Sequence, residues 1–214
     1  GMITLFHNRS GSYIPLGGVY EVKNKSTTIK EITAKVIRQS DNATLSLIWS
    51  TFPSPICRRV AGNFETSFET AHPFKVEADT LAPAFVEFVD KCANMDEVSN
   101  NILYPVVCAT MPIFSQPNAT LPIVDGAVRA LPEYALAKIA LNDHFFWKAD
   151  EYEMVITTIH SKGTFDKKYV FSLSDAESLR LRNNIDSVLI SHVANHFGIP
   201  VQMNTVTKDF KGKK

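Results

Sequence analysis

The residues with the most chemical potential are His192 and His196, four apart in Ser-His-Val-Ala-Asn-His. On a helix this spacing projects both imidazoles from one face about one turn apart, the arrangement that two metal-ligating histidines adopt. The zincin pattern also requires a glutamate directly after the first histidine as general base, and Val193 stands there instead. A metal-dependent hydrolase built on this pair needs a third ligand, and His160, Asp143 and His144 are the residues that could supply one. A second constellation is Glu21 and Lys23 in Val-Tyr-Glu-Val-Lys-Asn-Lys. On a strand, such a carboxylate can hold magnesium while the lysine polarises a water, as in magnesium-dependent nucleases of the restriction type. That chemistry needs a further acid on a preceding strand, and no Asp or Glu precedes Glu21.

Other motifs are incomplete. Gly17-Gly18 has neither dinucleotide-binding nor P-loop spacing, and no GxSxG elbow occurs. Catalytic residues are therefore unassigned and no cofactor motif is seen. The opening Met-Ile-Thr-Leu-Phe-His-Asn, residues 2–8, resembles the start of the thioredoxin-like arsenate reductases, where it leads to a catalytic cysteine. Here Ser10 and Gly11 follow and the first cysteine is Cys57, so that reaction does not carry over. Cys57, Cys92 and Cys108 lie 35 and 16 residues apart without a CxxC pair, which suits neither a disulfide framework nor a zinc knuckle. They read as reduced, mostly buried thiols of a cytoplasmic protein. Four Asn-x-Ser/Thr triplets, starting at Asn8, Asn24, Asn42 and Asn118, carry no weight without an export signal, and residues 1–10 hold none.

Charge is balanced overall, with 22 Lys plus Arg against 22 Asp plus Glu, so no global field steers a polyanion and nucleic acid is not an expected partner. Locally it is blocked: residues 1–59 hold eight basic and three acidic side chains, residues 60–103 two and eight. Blocks of opposite sign can pair within one fold or across a dimer. The apolar run 104–109 is far short of the ~20 residues a membrane-spanning helix needs, which predicts a soluble chain. At 214 residues with 45% apolar content, a sizeable core is within reach.

Four helices are expected to position these groups. Residues 28–39 place Ile29, Ile32 and Val36 at helical spacing behind a Thr28–Glu31 capping pattern; residues 83–92 stripe Phe85, Phe88, Val89 and Cys92 after Pro83. Pro132 opens a third helix through Ala140, and the capping box Ser174–Glu177 opens a long one reaching Phe197, where Gly198 and Pro200 stop it. Strands are expected over 3–6, 13–23, 43–51, 105–114, 152–160 and 168–173, the last two joined as a hairpin through 161–167. This order predicts an α+β fold: a mostly antiparallel mixed sheet packed by about four helices, with a C-terminal β-hairpin followed by a long helix. One domain over 2–214 is expected, the proline-rich stretch near 111–124 being the alternative boundary. Function is expected to be binding or assembly rather than catalysis, as a homo-oligomer to which Phe145, Phe146 and Trp147 could lend an aromatic surface, its ligand unknown. The metal-dependent hydrolase on His192 and His196 is the alternative, and the magnesium-dependent nuclease on Glu21 and Lys23 the weaker one.

Overall fold

Residues rich in Val, Ile, Thr and aromatics dominate the first ninety positions, and they form strands almost throughout. The computed structural model describes residues 2–8, 11–60, 63–90, 98–112, 120–209 and 211–212. Among them are β1 (Met2–Asn8), β2 (Gly11–Glu21), β3 (Thr27–Arg38), β4 (Thr44–Val60), β5 (Asn63–Thr70), β6 (Phe74–Val76) and β7 (Leu81–Asp90). The second half contributes β8 (Asp150–His160), β9 (Gly163–Leu173), β10 (Val206–Asp209) and β11 (Lys211–Gly212). Every pairing is antiparallel, in the order β10-β1-β2-β7-β4-β3-β8-β9-β11, with β5 on β4 and β6 on β3. The outermost strands β10 and β11 are consecutive in the chain, so the sheet curls until its two ends are tied by one C-terminal segment.

Two expected helices are strands. Residues 28–39 lie in β3, where a bulge sets Ile29 opposite His160 and Glu31 opposite Ile159. The extra residue shifts the alternation by one, so Ile29 and Ile32, three apart, both face inward and imitate a helical stripe. Residues 83–90 belong to β7, whose inward face is Ala84, Val86 and Phe88. Conversely, residues 105–110, expected as strand, fall in helix α1 (Tyr104–Thr110), which follows a π-helical turn, Val98–Leu103, and carries Pro105 in its first turn.

α2 (Leu121–Arg129) starts at the end of the proline-rich stretch, of which residues 113–119 lie outside the described residues, and α3 (Pro132–Asp143) starts at the expected proline. The single helix expected from Ser174 onward is two, α4 (Asp175–Arg182) and α5 (Asn184–Ala194), closed by a 3-10 turn, Asn195–Phe197. The capping box at its start is formed, Ser174 and Glu177 each satisfying the other's backbone N–H. The β8–β9 connection is shorter than expected: β9 begins at Gly163, whose φ of +147° suits glycine alone.

α5 buries seven of its eleven residues, among them Ile185, Val188, Leu189 and Val193, against α1, α2, α3, α4 and β1. Its apolar side chains join those of the sheet's inner face, Ile14, Val36, Leu47, Phe88 and Met154 among them, in one core. Among the described residues no helix is long and apolar enough to cross a membrane.

Candidate functional site

Where β2 and β7 cross the curl, their inward residues are small. Gly18 stands opposite Ala84, and a Cβ built on Gly18 would meet nothing within 4 Å. Its neighbour Gly17 serves the opposite face, where the Phe85 ring lies 3.0 Å from the place a Cβ would occupy. Side chains missing from the inner wall leave a cavity of about 660 Å³ between β2, β3, β7, β8 and β9, within the ~300–1,000 Å³ usual for small-molecule sites. Its floor is aliphatic: Leu16, Ile29, Ile32, Val86 and Ile156.

Polar groups stand at defined places on this apolar wall. The Tyr20 hydroxyl and Thr158 Oγ1 are 3.2 Å apart, and burial raises the Tyr20 pKa. Thr27, buried, sets its Oγ1 3.0 Å from Ser161 Oγ and 3.4 Å from His160 Nδ1. That nitrogen also accepts the backbone N–H of Lys162 at 3.3 Å, which makes Nε2 the ring's donor. At the rim, Lys162 donates from Nζ to the Lys25 carbonyl at 3.2 Å, and Lys167 Nζ sits 5.7 Å from the Tyr169 ring centre. Among the described residues neither lysine, nor Lys23, has a carboxylate within ion-pair distance.

Glu21, Lys23 and His160, which sequence spacing singled out for separate reasons, all border this one cavity. Glu21 ends β2 and Lys23 lies two residues past it, both exposed, while Tyr20 and Val22 are half-buried. His192 and His196 lie elsewhere, on α5 and on the 3-10 turn after it. A 3-10 turn advances about 120° per residue rather than 100°, so the second ring is turned from the position a continuous helix would give it. Asp143 ends α3 with His144 as its cap, both exposed. Among the described residues no three His, Cys, Asp or Glu side chains gather as a metal site.

The aromatic run is core: Phe145 and Trp147 are buried and Phe146 half-buried. Cys108 is free and exposed, against the expectation of burial, while Cys92 and the Cys57 side chain lie outside the described residues. Sequence reading missed Tyr20, Thr27, Thr158, Lys162, Lys167 and Tyr169. The one local sign was Gly17-Gly18 inside a strand, where paired glycines mark a close approach on one face and an empty place on the other. No protein-family model matches the chain, and no curated protein or solved structure proved similar to it.

Proposed function

We propose that this chain is a binding protein and that the cavity between β2, β3, β7, β8 and β9 holds a small molecule with an apolar body. The observation that carries the reading is the aliphatic floor left open by Gly18 and Ala84, ringed by a few placed hydroxyls. Apolar surface facing an unfilled space gains by covering, at ~25 cal/mol per Å² removed from water. The placed hydroxyls would fix the orientation of what enters.

The neutral fluorophore N-phenyl-1-naphthylamine tests this. Saturable binding at one site per chain is expected, weakened at least about tenfold in Gly18→Phe, whose ring enters open space without backbone strain. No binding to the unaltered chain, or equal binding to both, would end the reading. The proposal extends to a homo-oligomer, because Leu136 and Ile139, three apart on α3, are 69% and 60% exposed and a second copy would cover them. Light scattering over a concentration series reads this part, and a monomer throughout removes it.

A further inference from the structure

Resting on that reading, we infer that the ligand is a single-chain organic acid whose alkyl tail lies on the aliphatic floor and whose carboxylate sits at Lys162, in the β8–β9 turn. The charge at the rim is one-sided. Three lysines, Lys23, Lys162 and Lys167, border the cavity against one acid, Glu21, and none of the three is ion-paired among the described residues. Positive charge beside a low-dielectric hollow concentrates anions at its entrance. Lys162 spends one donor on the Lys25 carbonyl, and an ammonium has three.

The floor selects the body of the ligand. Leu16, Ile29, Ile32, Val86 and Ile156 offer no polar side-chain atom, so a sugar or a nucleobase would leave its donors and acceptors unpaired there. An alkyl chain has none to leave. The Tyr20 and Thr158 hydroxyls, 3.2 Å apart, satisfy each other, while the Thr27 hydroxyl, the His160 ring and the Ser161 hydroxyl are grouped beside Lys162. Phe165, 56% exposed beside Lys167 on the same strand, is a large apolar side chain that a bound tail would partly cover. Both edges beside the opening are unpaired among the described residues: residues 14–21 of β2 pair only with β7, and residues 163–168 of β9 only with β8. A rod-shaped ligand can therefore enter between them without displacing a strand.

Calorimetric titration of the full chain with dodecanoate, decanoate and dodecanol, below their aggregation limits, tests the inference. Dodecanoate is expected to bind about tenfold or more tightly than dodecanol, as a charge-assisted contact supplies, and this preference should shrink as salt rises. Decanoate, two methylenes shorter, should bind roughly 15-fold more weakly, at ~0.8 kcal/mol per buried methylene. Lys162→Gln should bring the dodecanoate and dodecanol affinities together, with circular dichroism confirming the fold. Equal affinity for acid and alcohol in the unaltered chain, or a preference that survives the Lys162 substitution, overturns the inference even where the naphthylamine binds. If neither alkyl ligand nor naphthylamine binds, the cavity reading fails with it.

Discussion

His7 combines two features that work against each other at low pH. Its carbonyl accepts from the Asn184 side chain at 3.0 Å, and that same amide bonds the backbone of Asn204 through both its oxygen and its nitrogen. This ties β1 to the start of α5 and to the segment before β10. The ring itself is buried, edge-on to Phe145 at 5.1 Å, and among the described residues nothing hydrogen-bonds its Nδ1. Burial lowers its pKa from 6.5 to about 4. The unfolded chain therefore binds more protons between these values, so stability is full above pH 6.5 and declines as pH falls toward 4. The loss reaches roughly 3 kcal/mol from this group. Urea unfolding at pH 7 and pH 4.5 should show it, and His7→Leu should remove that share of the difference. An unchanged pH dependence in the variant would exclude His7 as its source.

At the scale of elements, what was legible is what is written locally. Pro132 begins α3 and the Ser174–Glu177 box begins α4 because a cap depends on three or four adjacent residues. β3 and β7 were misread because tertiary pairing decided them. The β3 bulge, fixed by its register on β8, converts Ile29 and Ile32 into neighbours on one face, which period counting alone takes for helix. The short helix α1 misleads in the other direction: Tyr104, Val106 and Val107 favour strand by type, while Val106 and Thr110 turn one helical face into the core. The α4 cap also does more than start a helix, since Glu177 accepts from Lys208 of β10 at 2.8 Å. Ser174→Ala, which leaves Glu177 and Lys208 in place, should cost about 1 kcal/mol and lower the melting temperature by about 2–4 °C. No change in calorimetric melting would mean the Glu177–Lys208 pair holds this helix end without the serine.

The site was the least legible feature, because it exists only at the scale of the whole molecule. Its walls come from residues 16–23, 27–32, 84–86, 156–162 and 165–169, and no spacing along the chain announces that five strands will converge. Sequence marked Glu21, Lys23 and His160 as reactive types, yet their common setting follows from the curl of the sheet. That curl depends on the last strands: β10 pairs with β1 over Met2–Leu5, and β11 pairs Gly212 with Tyr169, itself a residue of the cavity wall. Removing residues 206–214 withdraws the buried Val206, breaks the Lys208–Glu177 ion pair and opens the edges of β1 and β9 together. Faster amide exchange, by about tenfold or more, is therefore expected in residues 3–5 and 169–170 of the shortened chain, where pairing is lost. Weaker naphthylamine binding should accompany it, because Tyr169 keeps its pairing with Met154 of β8 but loses its partner on the other side. Exchange in β1 and β9 equal to that of the full chain would show that the curl, and the cavity with it, is held by the β2–β7–β4–β3–β8 strands alone.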